Sequence, residues 1–198
     1  MRGTYNLLTY VAKAALPLPA MFNPKLKLFV EGRKKVFKQL EKIDFSEDWV
    51  WFHAASLGEF EQAVPIMEAI KENYPTYKIL VSFYSPSGYE NKKKHPLADA
   101  IVYLPLDTPK NAKRFVSIIK PKLAFFIKYD IWPNFLKELQ IQNIRTFLIS
   151  GAFRKDQIYF KPYGGLFREA LRVFEHIFLQ NETSKELLKT ININMKET

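Results

Sequence analysis

The chain has 198 residues, 47% of them apolar, with 17 Phe, 10 Tyr and 3 Trp: enough to fill the core of one domain and too many for a disordered chain. It has no cysteine, which excludes disulfides and thiolate metal sites, and its three histidines, at 53, 95 and 176, lack the spacing of a metal site. A net charge of +10 leaves nucleic acid, an anionic lipid surface, a phosphorylated ligand or plain surface solvation as readings.

Thr4 to Phe22 is mostly apolar, but Lys13 interrupts it and Pro17 and Pro19 break it. A spanning helix needs about 20 unbroken apolar residues, so this stretch is too short. No small-residue cleavage site follows, so it does not read as a signal peptide. Lys25, Lys27, Arg33, Lys34, Lys35, Lys38 and Lys42 come next. An apolar, aromatic stretch beside a basic cluster is how a monotopic segment meets an anionic membrane face; packing on the protein's own core is the other reading. Residues 1–45 are set apart on this basis as a membrane-associating segment, and 46–198 as the folded domain.

From Asp48 onward strand-like and helix-like patterns alternate. Val50–Ala54 predicts a buried strand, and Gly58–Tyr74 a helix with Phe60, Val64, Met67 and Ile70 at helical spacing. Pro65 inside that pattern predicts a kink or a broken first turn. Ile79–Ser85 is the second strand, Ser85-Pro86-Ser87-Gly88 a turn, and Tyr89–Lys94 a short helix. Ala100–Leu104 is a third strand, followed by a helix over Pro109–Lys120 with Thr108 as its N-cap. Leu123–Lys128, almost entirely apolar, predicts a central parallel strand buried on both faces. A helix over Pro133–Gln142, a strand over Thr146–Ser150, a helix over Gly164–Glu175, a strand over Ile177–Gln180 and a helix over Thr183–Thr190 complete the run. The alternation predicts an α/β fold, a Rossmann-like parallel sheet flanked by helices. The last stretch, Ile191 to Thr198, reads as an interrupted chain.

No Gly-x-Gly-x-x-Gly, P-loop or Gly-x-Ser-x-Gly pattern is present, so a standard dinucleotide site, ATP site or serine-hydrolase elbow is not supported. Polar residues instead collect where strands end. Ser56, Gly58 and Glu59 follow the first strand; Ser85, Ser87 and Gly88 the second; Tyr129, Asp130, Trp132, Pro133 and Asn134 the Leu123–Lys128 strand; and Ser150 to Arg154 the next. In a parallel sheet these turns share one edge, where helix N-termini favour anions. Glu59 and Asp130 would then face one cleft, a workable pair for glycosyl transfer with one carboxylate as base. Plainer readings stand beside this one. Glu59 suits the first turn of a helix, Asp130 an N-cap for the helix at Pro133, Trp132 the core, and His53 a buried, hydrogen-bonded place inside its strand.

His53-Ala54-Ala55-Ser56-Leu57-Gly58-Glu59 resembles the His-Ala-x-Ser-x-Gly-Glu motif of the 3-deoxy-D-manno-octulosonic acid (Kdo) transferases. Ser85 to Gly88 resembles that family's Thr-x-Thr-Gly turn, Tyr103 to Asp107 its Tyr-x-Pro-x-Asp segment, and Asp130 to Asn134 its Glu-x-Trp-Pro-Asn. The resemblance implies the N-terminal, acceptor-binding half of a GT-B glycosyltransferase held at the cytoplasmic face of the inner membrane. It implies transfer of Kdo from CMP-Kdo to the 6′-hydroxyl of the lipid A precursor, without a metal or other cofactor. Glu59 would be the general base and Asp130 the transition-state stabiliser, with Ser56, Gly58, Ser85, Ser87, Gly88, Trp132 and Asn134 lining the acceptor site.

Asp130 stands where the family has Glu, one methylene longer. Ser85 and Ser87 stand where it has Thr, and Ser150 to Arg154 matches its Asn-x-Arg segment only loosely. The chain stops before the family's Gly-Asn-x-Lys segment and CMP-binding domain, so transfer by this polypeptide alone is not expected. A basic, aromatic-rich nucleic-acid module is the competing class. No RNP, KH or helix-turn-helix pattern supports it, and Glu59 and Asp130 would repel phosphates, so no nucleic-acid partner is expected. A non-catalytic membrane-bound scaffold is the third reading.

Overall fold

The computed structural model describes residues 1–193; the rest of the stretch read as an interrupted chain, 194–198, lies outside the described residues. Three helices come first: α1 (Arg2–Ala15), α2 (Pro17–Ala20) and α3 (Pro24–Leu40). Then β1 (Trp49–Ala54), α4 (Leu57–Asn73), β2 (Lys78–Phe83), α5 (Pro86–Lys92), β3 (Ala100–Tyr103), α6 (Pro109–Ile119) and β4 (Leu123–Ile127) follow in turn. The chain continues through α7 (Pro133–Ile141), β5 (Arg145–Gly151), a 3-10 turn (Ile158–Phe160), α8 (Gly165–Leu171), β6 (His176–Leu179) and α9 (Glu182–Lys189).

The strands form one parallel sheet in the order β3-β2-β1-β4-β5-β6. This is the Rossmann-like arrangement predicted from the alternation. Its strand order reverses between β1 and β4, the crevice where open α/β sheets bind ligands. Successive residues of a strand point to opposite faces, so β1 feeds two cores. Trp49 and Trp51 join Phe115, Phe126, Phe135 and Leu171 on one face, while Val50, Phe52 and Ala54 join Phe60, Met67 and Phe83 on the other.

The structure differs from the expected elements at three places. Pro65 lies well inside α4, yet the helix runs on to Asn73. Phe60, Ala63 and Met67 are buried against the sheet on either side of it, and that packing offsets a helix-interior proline's cost of about 3 kcal/mol. Ser85 to Gly88 is not a free turn: Ser85 caps α5, its Oγ accepting the Gly88 N–H at 3.2 Å, and Pro86 opens the helix. The strand predicted to be buried on both faces is fully buried on one and only in part on the other. On that second face Ile127 is buried beneath α4, while Leu123 and Phe125 are half-buried.

The N-terminal helices divide by orientation. α3 starts at an Asn23 cap and docks Val36 and Leu40 into the core. Its lysines, Lys25, Lys27, Lys34, Lys35 and Lys38, remain exposed. Arg33 alone turns inward, its guanidinium over the Phe29 ring at 3.5 Å and donating to Tyr84 O at 2.6 Å. α1 is inverted relative to an ordinary surface helix, which buries an apolar stripe. The residues it turns toward the protein are polar, Arg2, Tyr5, Asn6 and Thr9, and none is fully buried. Its apolar residues face out: Leu7, Leu8 and Val11 are 64%, 61% and 54% exposed, and Leu18, Met21 and Phe22 continue the patch. No helix among the described residues is long and apolar enough to cross a membrane.

Candidate active site

The ends of β1, β2 and β4 meet at the strand-order reversal. Ser85 N–H donates to Ala55 O at 2.8 Å and Tyr84 N–H to Ala54 O at 3.2 Å, so the loop after β2 lies against the loop after β1. Glu59 sits in the first turn of α4, buried, with Oε2 accepting the Ala55 N–H at 2.7 Å. The structural reading of a first-turn carboxylate therefore holds at this residue. Burial raises the Glu59 pKa above the usual carboxylate range and the nearby Asp130 charge adds to the rise, while the Ala55 N–H, Lys128 and His53 oppose it. A carboxylate moved up in this way is better matched to taking a proton near neutral pH.

Asp130 does not cap α7. Its Oδ2 lies 2.5 Å from His53 Nε2, bridging the loop after β4 to a fully buried residue of β1 across the reversal point. His53 is the hydrogen-bonded strand histidine that its position predicts. Its Nδ1 lies 3.1 Å from the carbonyl of Ser82 and 2.8 Å from Ser82 Oγ, a hydroxyl that accepts from Trp51 Nε1 and has its own proton to donate. Two lone pairs repel at so short a separation, so a proton lies between Nε2 and Asp130 Oδ2. Trp132 Nε1 is 3.0 Å from that same nitrogen. One ring nitrogen offers a single direction, and the shorter contact belongs to Asp130, which leaves the Trp132 N–H the weaker partner.

Aromatic groups wall this carboxylate. The Tyr84 ring lies on Trp132 with centroids 4.7 Å apart, and Tyr159 O–H donates to Tyr129 O at 2.8 Å. Burial raises the pKa of Tyr5, Tyr84 and Tyr159, and the Asp130 charge raises all three further. Tyr5 belongs to α1, so the inverted helix reaches the site. The backbone is strained at the same edge: Lys128 and Ser150, at the ends of β4 and β5, adopt left-handed φ of 61° and 54°. Such a conformation costs a non-glycine residue roughly 1–2 kcal/mol. At Lys128 it turns the chain sharply before Asp130.

The remaining expected residues divide. Ser56 starts α4 without spending its hydroxyl on the helix, and a Cβ built on exposed Gly58 would meet nothing within 4 Å. Ser85 and Ser87 place their Oγ atoms 3.0 Å apart. Gly88 packs inward, since a Cβ there would fall 2.3 Å from the Phe83 ring. Asn134 is buried, and its amide donates to Asp107 O at 2.6 Å and Asn6 Oδ1 at 3.0 Å. Arg154 stands with its guanidinium 5.4 Å from the Tyr129 ring centroid. Sequence reasoning gave no role to Tyr5, Tyr84, Asp107 or Lys128. Asp107 alone carried a signal, as the acidic end of the Tyr103 to Asp107 segment that resembles the family's Tyr-x-Pro-x-Asp. No group of three or more His, Asp or Glu able to hold a metal occurs among the described residues.

A family model for 3-deoxy-D-manno-octulosonic-acid transferase (kdotransferase) matches residues 26–198. Among curated proteins, the chain is 34% identical over 105 residues to a 3-deoxy-D-manno-octulosonic acid transferase of Haemophilus influenzae, covering 52% of this chain and 24% of that one. It is 28% identical over 195 residues to a bifunctional glycosyltransferase/methyltransferase of Fusobacterium nucleatum, covering 94% and 29%. It is 28% identical over 158 residues to the 3-deoxy-D-manno-octulosonic acid transferase of Aquifex aeolicus, covering 79% and 40%. The chain thus spans well under half the length of these relatives. The fold resembles UDP-GlcNAc 2-epimerase from Neisseria meningitidis, with TM-score 0.53, 15% identity and coverage of 74% of this chain and 44% of that one. The enzyme of that name from Methanocaldococcus jannaschii gives 0.52, 11%, 74% and 43%. At such identities the likeness concerns fold alone, and it agrees with a Rossmann-like half of a GT-B arrangement.

Proposed function

From the premise that this chain belongs to the 3-deoxy-D-manno-octulosonic-acid (Kdo) transferase family, we propose that it forms the acceptor-binding side of an inverting Kdo transferase. The acceptor is the lipid A precursor and the donor CMP-Kdo. Glu59 takes the proton of the acceptor's 6′-hydroxyl, and the oxygen attacks the anomeric carbon of Kdo. The bond from that carbon to the phosphate oxygen breaks, CMP leaves with the electron pair, and the configuration inverts. Asp130, fixed by His53, stabilises the charge that develops; Ser56, Gly58, Ser85, Ser87, Gly88, Trp132 and Asn134 form or support the acceptor pocket. No metal or further cofactor enters this scheme.

The observation that carries the reading is the pairing of a buried, raised-pKa Glu59 with a His53-bound Asp130 at the strand-order reversal, within a chain of this family. Its test is Kdo transfer to the lipid A precursor by a polypeptide that joins this domain to a CMP-Kdo-binding domain. Glu59→Gln is expected to lower kcat by about 10²–10⁴, the usual worth of a general base. A fall of less than 5-fold would remove Glu59 from that role.

We further propose that the protein lies on the cytoplasmic face of the inner membrane through α1 and α2. The outward apolar patch of Leu7, Leu8, Val11, Leu18, Met21 and Phe22, with the exposed lysines of α3 beside it, supports this. A cavity of about 280 Å³ between these helices, lined by Leu16, Phe29, Val30 and Leu106 together with Lys13 and Lys34, offers apolar room beside cations, as a lipid acceptor requires.

A further inference from the structure

Asp107 is used by none of this chemistry, yet it is 2% exposed and receives three donors. Tyr5 O–H donates to Oδ2 at 2.7 Å, Asn134 N–H to Oδ2 at 3.0 Å and Phe135 N–H to Oδ1 at 3.0 Å. Those two amides are the ones an N-cap side chain ordinarily satisfies. The residue at that position in α7 is Trp132, which makes no such bond. Asp107 therefore caps α7 from the loop after β3, at the turn that immediately follows Asp130 and Trp132. The Asn134 side chain closes the arrangement by bonding both Asp107 O and Asn6 of α1.

The partner on the other side is a helix with little else to hold it. α1 buries no residue and turns its apolar face outward. Its seating relies on Tyr5 to Asp107, Asn6 to Asn134, an Arg2–Glu169 pair at 3.5 Å and the edge of Tyr5 on Phe167 at 5.8 Å.

We propose that Tyr5 and Asp107 are a positioning pair that couples the seating of α1 to the geometry of the Asp130–Trp132 loop. With α1 docked, the Tyr5 hydroxyl fixes the Asp107 carboxylate, the carboxylate fixes the first turn of α7, and that turn holds Trp132 and Asp130 against His53. Without the hydroxyl, a buried carboxylate is left with fewer donors, and it relaxes by weakening its hold on the two amides. The pair touches no substrate. Its catalytic meaning rests on reading Asp130 as a site carboxylate; the coupling itself does not.

The test is Tyr5→Phe in the full chain labelled with 5-fluorotryptophan, which keeps the ring on Phe167 and removes only the hydroxyl. Fluorine NMR follows Trp132, assigned by its loss in Trp132→Phe, with Trp49 as the reference. Hydrogen exchange follows the amides of Asn134 and Phe135. The expected result is a displaced or broadened Trp132 signal with Trp49 unmoved. Exchange at both amides should be faster by on the order of 10-fold, the worth of one hydrogen bond to a charged group. Faster exchange confined to α1, with Trp132 and the α7 amides unchanged, would overturn the coupling and leave Tyr5 as an attachment point. If Trp132 and the amides respond but Kdo transfer by the joined polypeptide keeps its kcat, the coupling stands and the catalytic reading of Asp130 falls.

Discussion

An inverted helix makes an unusual mutational forecast: its most apolar residues should matter to a lipid surface and hardly at all to folding. Replacing Leu7, Leu8 and Val11 by Ser is the perturbation. Fully burying one such side chain is worth about 1.5–3 kcal/mol, and these three are 64%, 61% and 54% exposed, so each retains about 1 kcal/mol of unburied apolar area. Together they should weaken membrane partition by about 3 kcal/mol, on the order of 100-fold. Sedimentation with vesicles containing anionic phospholipid measures the partition, and thermal unfolding of the same variant measures the fold. The melting temperature should stay within a few degrees, the remaining cost being the lower helix propensity of Ser in α1. A partition changed less than 3-fold, or a melting temperature lowered by 10 °C or more, would refute the reasoning, the second by showing that this face packs within the protein.

Glu59→Gln should stabilise the fold at neutral pH while removing activity. The folded state raises the Glu59 pKa, so it holds the proton more tightly than the unfolded chain, and stability falls as pH rises from the unfolded value of 4.5 through the folded one. Gln keeps the acceptor for Ala55 N–H without that loss, so its advantage in urea unfolding should vanish below pH 4. At Asp107 burial outweighs its three donors and pushes the pKa from 3.8 up to about 7. The wild type should therefore lose up to about 4 kcal/mol between pH 4 and pH 7 through this group. Asp107→Asn should lack that slope, so its penalty relative to wild type should shrink as pH rises; a penalty that grows with pH would mean the donors win. Gly58→Leu should hold or slightly raise the melting temperature, since a Cβ there meets open space in a helix, while raising the acceptor KM at least 10-fold if the acceptor approaches that turn.

The fold was legible because the chain alternates cleanly between periods: every strand predicted from 50 to 180 exists, and the turns after them do share one edge. Local chemistry that outvotes period was harder to read. Ser85-Pro86 is a cap followed by a first-turn proline, yet the glycine after it suggested a turn; the glycine is there to let the helix lie on Phe83. Pro65 marked a kink or a broken first turn, and the helix runs from Leu57 through it to Asn73 with buried residues on both sides. Inside-out packing of α1 has no local signature, because amphipathic spacing is identical whichever face meets the protein. The role of Asp107 depends on two amides 27 and 28 residues away and a tyrosine 102 residues away, and no window along the chain contains all three.

Asp130 stands where the resemblance has Glu, and the backbone around it shows how the shorter carboxylate is seated. A carboxylate one methylene shorter reaches the same partner only if its Cα stands closer. Two features of this loop fix where that Cα stands. The left-handed Lys128, with its N–H bonded to Ile149 O at 2.9 Å, turns the chain immediately after β4. The indole of Trp132, seated on Tyr84, pins the far side of the loop 3.0 Å from His53. Between these anchors Asp130 Oδ2 comes within 2.5 Å of His53 Nε2, so the shorter side chain closes the contact with no reach to spare. The left-handed turn at Lys128 and the contact of Asp130 with a fully buried histidine thus belong to one arrangement, in which the local cost of the first is offset by the second.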